Sequence, residues 1–200
     1  MDTPATLPLQ FNRIKGPVAL PRHARPAVTK ARLTDPATSV MTDFTTSAMF
    51  SIHHEVQIDQ ALEYMKAVGV KLLFVLNDDG RLAGLITTTD IQGDRPSRYM
   101  RTVDTTLTRN EVLVKHIMSA LADWIVLDYR DVQRAKIAQI IATFKSAGMR
   151  HLVVTDGGPG DMAVRGVISA TRIEQALDIT LNIVRRATTF AEIESAVVRA

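Results

Sequence analysis

Apolar residues at Ile58, Ala61, Leu62, Met65 and Val68 recur at the spacing that gathers side chains on one face of a helix. Ile137, Ile140, Ile141 and Phe144 repeat that pattern later in the chain. Each set ends at a glycine, Gly69 and Gly148, placed where a helix C-terminus wants a residue without a Cβ. Beyond each glycine the period changes. Leu72–Leu76 is continuously apolar, turns through Asn77-Asp78-Asp79-Gly80 and returns as Leu82–Ile86, which predicts a β-hairpin. His151–Thr155 turns through residues 156–161 and returns as Ala163–Ile168, a second hairpin. Strands so continuously apolar have no wet face. The helices are expected to cover one side of them and the other half of the chain the second.

Gly84-Leu85-Ile86-Thr87-Thr88-Thr89-Asp90-Ile91 closes the first hairpin, and Gly166-Val167-Ile168-Ser169-Ala170-Thr171-Arg172-Ile173 closes the second. Gly69 precedes Gly84 by 15 residues and Gly148 precedes Gly166 by 18, the extra three falling in a turn. The chain is therefore read as a duplicated unit. Short apolar stretches at Ala48–Ile52 and Trp124–Leu127 are strand candidates before each helix. After each hairpin a capping box is expected, Thr89 with Gln92 and Thr171 with Glu174, which puts Asp90 and Arg172 at the first helical position. Gly93 and Pro96 punctuate the first of these helices, and the charged stretch that follows carries Arg95, Arg98, Arg101 and Arg109. Thr189 with Glu192 predicts a last helix, Phe190 to Val198.

Composition narrows the class. Of 200 residues, 46% are hydrophobic and 22% charged, as in ordinary globular proteins. No apolar run approaches bilayer length, so no membrane partner is expected. With no cysteine, thiolate metal sites and disulfides are excluded, and a reducing, cytoplasmic setting fits. Charge is uneven. Residues 1–34 hold six basic side chains against Asp2 alone, a net of +5, which leaves 18 basic and 20 acidic elsewhere, a net of −2. That proline-rich segment has no sustained period and is read as a disordered basic leader.

Strand, helix, hairpin and helix, twice over, resemble the CBS domain pair, or Bateman module. Val40-Met41-Thr42 and Ile117-Met118-Ser119 match the family where each half opens. Gly69-Val70-Lys71 and Gly148-Met149-Arg150 match before the central strands, and Gly84, Thr87 and Asp90, with Gly166 and Ser169, match at the ribose positions. Two positions depart: Phe74 and Val153 stand where the family often has proline, and Arg172 replaces the second acid. The resemblance implies an α+β fold in which two β-α-β-β-α repeats pack about a pseudo-twofold axis, at residues 35–98 and 113–182. Residues 99–112 are then a connector and 183–200 a helical tail. It also implies clefts between the halves that take adenosine-containing ligands (AMP, ADP, ATP, NAD or S-adenosylmethionine), with no cofactor required. A homodimer and an effector protein are the implied partners.

The residues themselves suit that chemistry. A single carboxylate can accept hydrogen bonds from both ribose hydroxyls, and Asp90 is the candidate, with Thr87 reaching ribose or the first phosphate. The helix N-terminus at Asp90 would add N–H groups for anions. Ile52 and Phe74 could wall the adenine. Lys71, Arg150 and His151 stand where the family places donors for phosphates, and Ser169 and Arg172 mark the second cleft. The plain alternatives are that Asp90 serves helix electrostatics, that Lys71 and Arg150 are solvated ends, and that His151 is a packed core residue. Arg172 suggests that the second cleft has lost ribose recognition or faces an anion.

His53-His54-Glu55 is read as a poor metal site, because strand neighbours point to opposite faces. No HExxH, P-loop or G-x-S-x-G occurs, and Thr87-Thr88-Thr89 has no histidine base near it in sequence, so no enzyme is expected. Two readings rival the ligand-binding regulator. One is a ligand-free dimerisation scaffold whose clefts are filled by side chains such as Phe74. The other, nucleic-acid binding through the leader and connector arginines, is not expected from the charge of the folded part.

Overall fold

The structure, a computed structural model, describes residues 28–104, 106–158 and 160–183. The predicted leader up to residue 27 and the predicted helix Phe190 to Val198 lie outside the described residues. The two amphipathic helices form as their spacing requires: α1 is Ile58–Val68 and α4 is Ile137–Ala147. Gly69 at φ 72° and Gly148 at φ 66° end them in the left-handed conformation. Gly69 N–H donates to the carbonyls of Lys66 and Met65, and Gly148 N–H to that of Phe144.

Eight strands build two four-stranded sheets among the described residues. They are β1 (Met41–Asp43), β2 (Ser51–His53), β3 (Leu72–Leu76), β4 (Leu82–Thr87), β5 (Ser119–Ala120), β6 (Val126–Asp128), β7 (His151–Asp156) and β8 (Ala163–Ser169). One sheet has the order β2-β3-β4-β5 and the other β1-β8-β7-β6. In each, a short strand runs parallel to the first arm of the hairpin. The outermost strand beside the hairpin's second arm comes from the opposite repeat. β1, which opens the first half, pairs with β8, and β5, from the second half, pairs with β4. The repeats therefore exchange strands reciprocally about their pseudo-twofold relation. Both hairpins shift register at the same place, Val75/Leu76 and Val154/Thr155.

Alternation along the central strands explains their continuous apolarity. Leu73 and Val75 face α1 and join a buried cluster with Ile58, Ala61 and Met65. Leu152 and Val154 do the same with Ile137, Ile140 and Phe144. The opposite faces meet each other, where Leu72, Phe74, Leu85 and Val153 form a third cluster with Phe44, Trp124, Val126 and Val167 around them. Both sides of the strands are covered, one by helices and the other by the second repeat.

The exchanged strand β1 is anchored by a bidentate pair. Arg165 donates from Nε and Nη2 to the Asp43 carboxylate at 3.0 and 2.9 Å, and its guanidinium stacks over Tyr129 at 4.2 Å. The Arg165 hydrogen bonds, helped by those from Thr45, hold the Asp43 carboxyl well below the usual carboxylate range.

Residues 28–34, assigned to the disordered leader from composition, instead lie along the second repeat. Ala31 N–H donates to Ala176 O at 3.0 Å, Ala138 N–H donates to Leu33 O at 3.1 Å, and Val28 and Ala31 pack on the second helix-side cluster. Two apolar contacts and two backbone bonds suffice to dock a segment whose sequence shows no period. The connector also has structure, a helix α3 (Arg95–Val103) with Pro96 in its first turn. No helix of the described residues is long and apolar enough to cross a membrane.

Candidate functional site

Strand β4 ends at Thr87 and the chain enters α2 (Thr88–Gln92) at once. Thr87 is the helix N-cap, two residues earlier than the Thr89–Gln92 spacing predicts. The Thr87 N–H and Oγ1–H donate to Asp90 Oδ2 at 2.9 and 2.6 Å, and Asp90 N–H donates back to Thr87 Oγ1 at 3.2 Å. Asp90 is thus the third residue of the helix and closes a capping box with Thr87, so its N–H is not a free anion donor. The second repeat has half of that device. Ser169 caps α5 (Ala170–Leu177) by accepting from Arg172 N–H at 3.2 Å, and an arginine side chain has no acceptor to complete the box.

Asp90 is only 3% exposed. Arg95, from the start of α3, lies against it. Arg95 Nε stands 3.4 Å from Asp90 Oδ1, and Nη1 donates to Ile117 O at 2.8 Å and to Ser119 Oγ at 3.2 Å. One guanidinium thereby ties the acid to the segment leading into the exchanged strand β5. Beyond Arg95 opens a cleft of about 680 Å³. Arg98 and Tyr99 of α3 line one side, His116, Met118 and Trp124 another, and Met149, His151 and Val153 of the second repeat a third. Tyr99 stacks on His116 with ring centroids 4.4 Å apart. Burial pushes the His116 imidazole down, with neighbouring Lys115 adding to the effect.

His151 joins the two halves of the site electrically. Burial pushes its pKa down to about 4, Arg150 and Lys71 push the same way, and Asp90 opposes them. The unfolded value is about 6.5. Below that pH the unfolded chain takes up a proton that the native imidazole refuses, so this contribution is whole above pH ~6.5 and is lost as pH falls towards ~4. Its ceiling is about 3 kcal/mol and partial exposure lowers it. The urea midpoint should therefore fall between pH 7.5 and pH 5, and His151→Gln should flatten that fall. Equal slopes in the two proteins would contradict the assignment.

The other candidates divide. Asp90, Thr87, His151 and Lys71 belong to one neighbourhood. Arg150 is turned into its own repeat, 2.6 Å from Glu174. Phe74 is 1% exposed in the cluster between the sheets, whereas Ile52 packs on the α1 side. They lie on opposite faces of one sheet because Ser51, not Ile52, is the register partner of Phe74, so they cannot form one adenine wall. Ser169 sits opposite His151 in the β7–β8 register. Arg95, Tyr99, His116 and Trp124 also line the cleft, and the sequence pattern does not mark them as site residues. Only Arg95 had a visible signal, as the first arginine of the charged connector, and nothing local shows where its side chain goes.

The histidine pair also departs from expectation. His53 ends β2 and His54 lies past it, so strand alternation stops between them and both Nε2 atoms reach Asp78 Oδ1, at 3.2 and 3.0 Å.

The CBS domain family model matches residues 40–93. No curated protein matches the chain. Among solved structures, an uncharacterized conserved protein from Pyrococcus horikoshii is similar over 80% of this chain and 99% of its own, at 18% identity and a TM-score of 0.50. CBSX2 in complex with AMP is similar over 70% of this chain and 94% of its own, at 17% identity and a TM-score of 0.48. The conserved CBS domain protein TA0289 from Thermoplasma acidophilum is similar over 79% and 75%, at 15% identity and a TM-score of 0.45. At 18% identity the first likeness shows a shared fold. A CBS domain thus matches over the first repeat, and the second repeat duplicates its elements and trades strands with it.

Proposed function

We propose that the chain is a non-catalytic regulatory module that binds an adenosine-containing ligand in the cleft between its repeats, Asp90 accepting the ribose hydroxyls. CBS pairs commonly take such ligands, and AMP, ADP, ATP, NAD and S-adenosylmethionine are the candidates. The observation that carries the reading is a buried carboxylate, oriented by Thr87 and covered by one arginine, at the edge of a cleft of about 680 Å³. That volume lies in the range of small-molecule sites. Ligand entry requires Arg95 to leave Asp90, and its guanidinium then becomes available to a phosphate. A shift between the halves would follow only from a ligand that favours one arrangement of them, and homodimer contacts or an effector protein would read it.

Isothermal titration with AMP, ATP, NAD and S-adenosylmethionine tests this. A charge-assisted hydrogen bond contributes about 1.5–3 kcal/mol, so Asp90→Asn should weaken binding roughly 10- to 100-fold. The single tryptophan, Trp124, lines the cleft and should report binding by fluorescence. Absence of heat with all four ligands overturns the reading.

One feature favours the rival, a ligand-free scaffold for homodimers. Arg95 already engages Asp90, and no buried side-chain polar atom among the described residues lacks a partner. Arg95→Ala separates the two. It should tighten binding of adenosine, which has no phosphate to lose, if the cleft is a ligand site, and should leave adenosine unbound if it is a scaffold. Three of the four connector arginines, Arg95, Arg98 and Arg109, pair with Asp90, Asp94 and Asp59, which weakens the case for nucleic-acid binding.

A further inference from the structure

We propose that His53, His54 and Asp78 form a surface site for a divalent cation of the zinc class. The site is independent of the nucleotide reading, because β3 runs from Leu72, beside Thr87, to Leu76, beside His53. The acid at position 90 and this triad stand at opposite ends of the same sheet.

The backbone builds the triad without help from an ion. Val56 N–H donates to His53 O and His54 N–H to Leu76 O, which turns the chain out of β2 and lets adjacent imidazoles converge, their centroids 4.7 Å apart. Asp78 sits in the β3–β4 turn, where Gly80 at φ 71° supplies the left-handed residue. Asn77 locks that turn, its N–H donating to Arg81 O and its Oδ1 accepting from Arg81 N–H. Both ends of the site are therefore positioned by hydrogen bonds that a cation would not disturb.

The spacing suits a coordination sphere. Zinc binds imidazole nitrogen and carboxylate oxygen at about 2.0–2.2 Å, which sets neighbouring ligand atoms roughly 3.0 Å apart at right angles and roughly 3.4 Å apart in a tetrahedron. In the triad the two nitrogen-to-oxygen distances are 3.2 and 3.0 Å, and all three ligand atoms lie within 4.8 Å of one another. Two imidazoles with one carboxylate select zinc, cobalt or nickel over magnesium and calcium, which prefer oxygen throughout. The side chains of His53 and Asp78 are 46% and 79% exposed, so water can fill the remaining positions.

Two neighbours limit the affinity. Glu55 N–H donates to His53 Nδ1 at 3.3 Å, and metal at Nε2 puts the proton on Nδ1 and breaks that long contact. Lys115, paired with Glu55 at 2.5 Å, adds positive charge beside Asp78. Binding in the micromolar range is expected.

The test is titration of the full chain with Zn(II) by calorimetry and with Co(II) by visible absorption. One ion per chain should bind, with cobalt d–d bands of a four- or five-coordinate site. His53→Ala, His54→Ala and Asp78→Ala should each weaken zinc at least ~10-fold, as loss of one of three ligands requires. Circular dichroism of each variant without metal checks that it folds. No saturable binding, or binding that survives in all three variants, overturns the proposal and leaves the triad as two imidazoles hydrogen-bonded to one carboxylate.

Discussion

Phe74→Ala should lower the free energy of unfolding by about 3–5 kcal/mol, more than truncation of any other side chain in the layer between the sheets. Phe74 is 1% exposed and sits edge-on to Phe44 at 5.6 Å and tilted against Trp124 at 5.9 Å. Trp124 belongs to the second repeat and Phe44 follows the exchanged strand β1. Truncation therefore leaves a hole between the halves while the two helix-side clusters stay intact. Urea unfolding followed by circular dichroism gives the loss, and Trp124 fluorescence reports the interface directly. A loss under about 1 kcal/mol would mean that position 74 faces open space, as a ligand wall would, rather than a packed interior.

Gly166→Ala and Gly84→Ala are the second case, each expected to be destabilising by about 1–3 kcal/mol. Neither glycine has a left-handed φ, so conformational strain is not the reason. A Cβ on Gly166 would stand 2.3 Å from Thr42 O, and one on Gly84 would stand 2.5 Å from Ser119 O. Those carbonyls belong to β1 and β5, the strands each repeat lends to the other. The missing Cβ at each of these positions is thus the gap through which the exchanged strand makes its hydrogen bonds. Hydrogen exchange locates the damage. Amides of Met41–Asp43 should lose protection in Gly166→Ala while those of α1 keep theirs. The Gly166 change should be the worse of the two, because Asp43 and Arg165 clamp β1 in place and prevent it from moving away. Uniform loss across the chain would point to global unfolding instead.

Much of this architecture could be read from one-dimensional pattern. The helices over residues 58–68 and 137–147 follow from apolar spacing, and Gly69 and Gly148 end them for a local steric reason. The hairpins follow from turn chemistry between apolar runs. Thr87 and Asp90 stood out as a pair, although the expected cap lay two residues downstream, since S/T-x-x-E/Q at Thr89 is as good a local match as Thr87-x-x-Asp90 and only the end of β4 chooses between them. Arg150 illustrates the opposite limit. Its basic charge is plain in the sequence, but its partner Glu174 is 24 residues away, and the sequence does not say which of several acids it meets.

Local interactions of a few residues, which include helix periodicity, glycine conformation and turn hydrogen bonds, were determined by the sequence alone, because their energetics are complete within one turn or one hairpin. The exchange of β1 and β5, the seating of Arg95 on Asp90 and the meeting of His53 and His54 at Asp78 were decided only by tertiary structure. A three-residue strand such as Met41–Asp43 satisfies its backbone equally well in either sheet as far as pattern goes. A long arginine side chain likewise reaches many acceptors. What selects one outcome is the simultaneous packing of both repeats, a non-local condition that no window of the chain contains.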